Sequence, residues 1–371
     1  MRNPPLLLIA LLAAPLDALA ASGPEKALVA GRVRPVERVA GRGVPLRAEL
    51  RAELVPIREQ AIGAGATAYV VLRDGVIVDE AYGPGFGPDS RFDLGGANRG
   101  LFALLVGAAV IEHRLAPDDA VPRFLPEWAD ERRAALTVEH LLQGAAGLAG
   151  DPTAGAGEAA WTVEAAAPRT PRWRLAHDRD LVPALLEVGA GRPPGRVYAD
   201  DDAVAQVVAL VLERATGTRW VDWLEQRLWW PLGAGDAEVA LDRRGGSGLA
   251  FAGPYVTARD AARIGQLMLD DGRVGDTELL AAGWVTRMRV PSPMLGDHGY
   301  GIWLADRGPG ASRAAGRSEP FDDPELFFLA GDEGQRVFVS PRHHLVVARF
   351  GGAEVDDAAL PNALARALAT P

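Results

Sequence analysis

From Gly100 to Ile111 the chain runs through Gly, Leu, Phe, Ala, Val and Ile without one charged residue or proline. A surface helix keeps a polar face, whereas a helix apolar all round has to be buried on most of its sides. Any fold for this chain must therefore wrap structure around a central helix at this point. The chain has the material to do so: 371 residues, 48% hydrophobic and 24% charged, is ordinary globular composition, enough for one large or two closely packed domains.

Charge and cysteine usage exclude several functions. The chain carries 39 Lys and Arg against 49 Asp and Glu, a net charge of -10, with no basic run; phosphate neutralisation needs clustered cations, so no nucleic-acid partner is expected. With no cysteine, disulfides, thiol nucleophiles and thiolate metal sites are ruled out. Lys26 is the single lysine. At the N-terminus, Arg2, the apolar run Leu6 to Ala14 and the small-residue pattern Ala18-Leu19-Ala20 read as a secretory signal peptide over residues 1–20. The expectation is a periplasmic or secreted protein with no membrane span after cleavage, since no segment reaches the roughly 20 uncharged apolar residues a bilayer requires.

Residues 21–45, rich in Gly, Pro and Arg without an apolar period, read as a flexible N-terminal arm. Leu46 to Ile62 has helical spacing, and Ala66 to Leu72 and Val76 to Tyr82 read as strands about the turn Arg73-Asp74-Gly75. The loop Gly83 to Pro88 reads as turns, its prolines lacking the N–H groups a phosphate cradle needs. Thr137 is placed to cap a short helix from Val138 to Gln143. Further helices are expected at Asp180 to Val188, Asp202 to Thr216, Trp220 to Trp229, Thr257 to Asp271 and Thr277 to Arg289. Strands follow at Glu325 to Ala330, Gln335 to Ser340 and His344 to Phe350, then a helix from Asp357 to Ala369. Two early and three late strands most economically make one antiparallel sheet flanked by helices, an α+β fold with an inserted, mostly helical lobe. The single domain, 46–371, then divides into a sheet lobe of about 46–95 and 296–371 and a helical lobe of about 96–295, with the cleft between them as the binding site.

Five segments carry a resemblance. Phe124-Leu125-Pro126-Glu127-Trp128, Leu136 to Leu148, Pro231-Leu232-Gly233, Val256 to Leu269 with its Thr257-Ala258-Arg259-Asp260, and Leu345-Val346-Val347-Ala348-Arg349 resemble, in this order over about residues 50–369, the β-lactamase-related serine hydrolases. That family includes class C β-lactamases, DD-peptidases, esterases and aminohexanoate-oligomer hydrolases. The resemblance implies a β-lactamase/transpeptidase-like fold and a chemistry resting on three motifs. A serine at the start of the buried helix attacks a carbonyl, a lysine one helical turn on takes its proton, and a tyrosine assists from the opposite wall. A third motif, His or Lys then any residue then Gly, lies on a strand beside the substrate.

Here the first motif falls at Gly96-Ala97-Asn98-Arg99. Glycine offers no nucleophile, and arginine, with a pKa above about 12, is no general base near neutral pH. Ser90 has no basic residue three positions on. The second motif resembles Tyr198-Ala199-Asp200, with aspartate in place of asparagine, and the third Asp332-Glu333-Gly334, with a carboxylate in place of a cation. A further signature, Thr-Ser-Gly-Leu, reads Ala145-Ala146-Gly147-Leu148. The expectation is a pseudoenzyme that binds or regulates without acyl-enzyme chemistry and without a cofactor, its ligand an amide, an ester, a peptidoglycan-like fragment or a protein. A permanent cation in a cleft needs a counter-charge, so Arg99 is expected to pair with Asp200 or Asp332. The backbone N–H of Gly96, one near Gln335 and the Tyr198 hydroxyl remain as donors toward a carbonyl. The rival reading is an active amide or ester hydrolase using Tyr198, Asp200, Asp332 and Glu333 as acid and base; a third is a structural envelope protein with no pocket.

Other candidates are weaker. His343 and His344, adjacent in a strand, would point to opposite faces and share no metal, and no metal site is expected. His298 reads as a loop histidine at the cleft, His113 as a favourable charge at the end of the buried helix, and Asp200-Asp201-Asp202 as helix capping.

Overall fold

The computed structural model describes residues 25–29, 32–150, 162–163, 166–305, 319–352 and 355–368; the expected signal segment, 1–20, lies outside them. The chain opens with a hairpin, β1 (Glu25–Val29) and β2 (Arg32–Val39), followed by helix α1 (Val55–Gly63). The hairpin β3 (Ala68–Arg73) and β4 (Val76–Tyr82) turns at Asp74 and Gly75, both at positive φ, the backbone that matches the twist of two tight strands. Strand β5 (Arg91–Asp93) leads into α2 (Asn98–Ile111), and α3 (Val138–Leu142), α4 (Pro171–His177), α5 (Leu181–Leu186), α6 (Asp202–Thr216) and α7 (Trp220–Leu224) build the helical lobe. Then come β6 (Ala237–Ala240), β7 (Pro254–Thr257), α8 (Ala258–Leu269), a small hairpin of β8 (Arg273–Val274) and β9 (Thr277–Glu278), and α9 (Trp284–Met288). Strands β10 (Trp303–Leu304), β11 (Phe327–Ala330), β12 (Arg336–Ser340) and β13 (Leu345–Phe350) and helix α10 (Ala359–Leu368) close the fold. Among the described residues no helix is long and apolar enough to cross a membrane.

The expected sheet forms with the order β10-β11-β12-β13-β3-β4, its neighbours antiparallel. Both of its faces are covered. Val70, Leu72, Leu329, Val337, Val339 and Val346 face the main core. Tyr69, Val71, Phe328, Phe338, Leu345 and Val347 face a second core that Leu364 and Leu368 of α10 help to close. This two-sided burial explains why β12 and β13 read as continuous apolar runs rather than as alternating strands.

Helix α2 is enclosed as its sequence requires. Leu101, Phe102, Leu104, Leu105 and Val106 are at most 1% exposed, each contributing about 1.5–3 kcal/mol by leaving water. Tryptophans wall it in. The Trp284 indole donates to Ala103 O at 3.0 Å, the Trp223 indole to Leu105 O at 3.3 Å, and Trp220 packs edge-on to Phe102 with centroids 5.0 Å apart.

The structure corrects several expectations. Within the stretch 21–45 expected as a flexible arm, the described residues 32–45 are held to the body: β2 pairs with β6 in a second, five-stranded sheet, β1-β2-β6-β7-β5, and Gly43 N–H and Val44 N–H donate to Ala234 O and Gly233 O. The run from residue 46 is extended beside β4, with Glu49 N–H donating to Ile77 O and Arg51 N–H to Val78 O, so the helix starts only at Val55. The single helix expected from Thr277 to Arg289 is a hairpin strand followed by α9, which Gly283, at φ +70°, separates. Finally, α8 lies on β13, β12 and β3, so it belongs to the sheet lobe although it falls inside 96–295.

Close packing of α8 on the sheet depends on Gly265, where an added methyl would sit 2.5 Å from Val346 Cγ1 and 2.8 Å from Val337 Cγ1. Alanine is the better helix former by about 1 kcal/mol, but overpacking a filled core costs about 1–3 kcal/mol. Gly265→Ala is therefore expected to lower stability on balance, and urea unfolding showing a gain would contradict this packing.

Candidate functional site

The cleft is built around the first turn of α2. Gly95–Ala97 form a 3-10 turn, anchored where Gly95 N–H donates to Asp93 Oδ1 at 2.8 Å. Arg99 follows Gly96 by three residues and so shares its face of the helix. A Cβ at Gly96 would lie 3.2 Å from Arg99 Nη1, 3.3 Å from Ala330 O and 3.4 Å from Gly331 Cα. The guanidinium thus occupies the space beside the position of the expected nucleophile.

Arg99 Nη2 is ion-paired with Asp200 Oδ1 and lies 3.8 Å from Asp202 Oδ1. Of the two carboxylates expected to pair with it, Asp200 does so, whereas Asp332 is exposed and acts only through its field. Burial disfavours the Arg99 charge, but Asp200 first, then Tyr198, Asp202 and Asp332, more than offset this and hold it above the ordinary arginine range. Arg99 itself therefore keeps its proton and cannot accept one.

The three aspartates at the start of α6 do different work. Asp200 holds Arg99. Asp201 caps the helix, accepting from Ala203 N–H at 2.9 Å, and makes a two-pronged ion pair with Arg172 at 2.5 and 2.8 Å. Asp202 accepts from Val163 N–H at 3.0 Å. Arg172 also donates to Ala149 O, at 3.0 and 2.8 Å. Sequence reasoning named the capping but missed Arg172, because no local pattern links residue 172 to residue 201.

Tyr198 is positioned by α3 and its exit. Ala199 N–H donates to Gly144 O at 2.9 Å, and at Gly144, φ +66°, any side chain would strike the Tyr198 ring at 2.8 Å. The ring packs against His298, centroids 4.8 Å apart, and edge-on to Trp303 at 6.2 Å. His298 is 2% exposed and backs Tyr198 at the inner wall of the cleft. The loop carrying it reaches α2 because Gly301, at φ +65°, has no Cβ; one would fall 2.5 Å from the Arg99 carbonyl carbon. Between these groups lies a small recess lined by Arg99, Phe102, Leu142, Tyr198, Val204 and His298 among others.

The turn between β11 and β12 forms the other wall, with Asp332 and Glu333 exposed at its tip. Gln335, near which a backbone donor toward a ligand is expected, braces the turn with its side chain and carbonyl. Its side-chain oxygen accepts from Glu333 N–H at 3.0 Å, its backbone carbonyl accepts from Gly331 N–H at 3.0 Å, and its amide nitrogen lies against Gly95. It is Gly331, not Gln335, whose backbone lies against Gly96. Gly334, at φ +83°, packs on Gly352 O, away from the cleft. His343 and His344 lie in the turn from β12 to β13 rather than in a strand. Among the described residues no three or more His, Asp or Glu side chains gather as a metal would need.

Residues 52–369 match the profile of the beta-lactamase family. A 6-aminohexanoate-dimer hydrolase of Paenarthrobacter ureafaciens is 31% identical over 244 residues, 65% of this chain and 61% of that protein. Penicillin-binding protein 4 of Amycolatopsis lactamdurans is 28% identical over 231 residues, 54% and 57% of the two chains. This chain thus spans about three fifths of the length of the relatives it matches. Among solved structures, a Bacillus anthracis protein provisionally assigned as a 6-aminohexanoate-dimer hydrolase superposes with a TM-score of 0.71 over 91% of this chain and 89% of its own, at 16% identity. At that identity the likeness speaks to the fold alone.

Two predictions follow from the cleft walls. The Arg172–Asp201 pair is 3% and 2% exposed, the Arg99–Asp200 pair 23% and 33%. Breaking the first strands a buried charge, at about 3–5 kcal/mol; breaking the second should cost about 1 kcal/mol, since water and Asp202 remain within reach. Urea melts of Asp201→Ala and Asp200→Ala are expected in that order, and equal losses would refute it.

The second concerns α3. Thr137 N–H donates to His140 Nδ1 at 3.2 Å while His140 N–H donates to Thr137 Oγ1 at 3.3 Å, a reciprocal cap that needs the neutral imidazole. Burial lowers the His140 pKa below its ordinary 6.5. The unfolded chain therefore takes the proton first as pH falls, and this contribution, complete above about 6.5, is lost on acidification through that value and the lowered one. His140→Gln keeps an acceptor that does not titrate, so its melting temperature should fall less than the wild type's between pH 8 and pH 5; parallel curves would remove His140 as the cause.

Proposed function

The chain belongs to the beta-lactamase family, and on that premise we propose that it is a non-acylating member, an exported protein that holds an amide or ester ligand by its carbonyl without forming an acyl-enzyme. One observation carries the reading: the Arg99–Asp200 ion pair stands beside a glycine at the position where the resemblance expects the nucleophile. The cleft keeps what binding needs, a tyrosine, an apolar recess and backbone amides, and lacks the serine and lysine that turnover by that route needs. Export rests on the pattern of residues 2–20. The relatives' names make the linear dimer of 6-aminohexanoate and penicillins the first ligands to try. The rival acid-base hydrolase is disfavoured because Asp200, its best-placed carboxylate, is committed to Arg99.

The test is turnover of a chromogenic cephalosporin, a nitrophenyl ester and the 6-aminohexanoate dimer by the wild type and by a Gly96→Ser, Arg99→Lys variant. The second change withdraws the guanidinium that would crowd a new side chain at 96. The wild type is expected to give neither turnover nor a covalent adduct by mass, and the repaired variant to gain an acyl adduct. Wild-type turnover abolished by Tyr198→Phe or Asp200→Asn would establish the acid-base hydrolase in its place.

A further inference from the structure

Directly opposite each other on β12 and β13 stand two arginines, Arg336 and Arg349, 6% and 3% exposed. Side chains in register point to the same face, and their alternation with Val337 and Ala348 puts both on the face away from α2. Holding two cations side by side out of water is costly: burial and the Arg336 charge push Arg349 down to about 10. Asp357 accepts from Arg336 Nε at 2.5 Å. Further contacts are to backbone carbonyls. Arg336 Nη1 donates to Gly331 O at 2.6 Å and Gln335 O at 2.8 Å; Arg349 Nη1 donates to Gly351 O at 2.7 Å, Gly334 O at 3.2 Å and Gly352 O at 3.3 Å. Gly331 O, Gln335 O and Gly334 O of the β11–β12 turn thus each accept from a guanidinium lying on the outer face.

A trans peptide sets the N–H of the next residue opposite to its carbonyl, and no cis bond is present among the described residues. With Gly331 O drawn outward, the Asp332 N–H is turned to the inner face, where Gly96 lies against Gly331. We propose that Arg336 and Arg349 are positioning residues, a buried clamp that fixes the β11–β12 turn so that the Asp332 amide and the Gly96 amide converge on one ligand oxygen. The inference rests on the carbonyl-binding reading for its purpose but not for its geometry. Lysine, a single point of charge, cannot serve two carbonyls and a carboxylate as the guanidinium fork does, so Arg→Lys keeps the charge and loses the clamp.

The experiment is backbone amide relaxation on ¹⁵N-labelled wild type, Arg336→Lys, Arg349→Lys and, as a destabilised control in α5 of the helical lobe, Leu185→Ala. In the wild type the Asp332 and Glu333 amides should be rigid, with order parameters near 0.85, and in the lysine variants they should fall below about 0.6 while the control stays rigid. Titration with the linear 6-aminohexanoate dimer should move the Gly96 and Asp332 resonances together in the wild type and bind about tenfold more weakly to Arg336→Lys. Unchanged order parameters in both lysine variants would overturn the clamp. A wild type that fails to bind the dimer counts against that ligand reading, while the relaxation data still decide the clamp.

Discussion

The enclosure of α2 governs the rest of the molecule. A helix with no polar face cannot lie on a surface, so the sheet, α6, α7 and α9 are arranged about it, and tryptophan indoles cover its flanks while satisfying their own N–H groups on its carbonyls. Its first turn emerges at the seam between the sheet and the helical lobe. Whatever stands at residues 96 and 99 is thereby fixed against both residues 198–202 and the β11–β12 turn, and this rigidity is what makes the chemistry of two side chains decisive for the whole cleft.

Glycine at 96 and arginine at 99 are physically linked. The guanidinium is broader than an ammonium and lies 3.2 Å from where a Cβ at 96 would stand, so arginine fits best where its neighbour has no side chain. Once there, a cation that cannot shed its proton requires a carboxylate within reach, and aspartate at 200 supplies it. Gly96, Arg99 and Asp200 thus form one set matched in charge and volume.

Among the described residues buried arginines recur at junctions between segments: Arg172 on Asp201 and Ala149 O, Arg263 on Asp260 and Val44 O, Arg336 on Asp357 and two carbonyls. Five donors in a plane let one side chain join several strands or loops at once, which a compact ammonium cannot do. In a chain with a single lysine, these forks carry the long-range ties between segments far apart in sequence.

The sequence by itself determined the buried helix, the β3–β4 hairpin, the late strands and the caps of α3 and α6, because each depends on residue type within a turn or a strand. Only the tertiary structure decided that Arg99 pairs with Asp200 rather than Asp332, that Arg172 locks Asp201, that the Gln335 side chain braces its turn, and that residues 32–39 join a second sheet. Those outcomes rest on distances between segments separated by tens to hundreds of residues. Residue type states that a charge needs a partner; the packing of layers settles which one lies within reach.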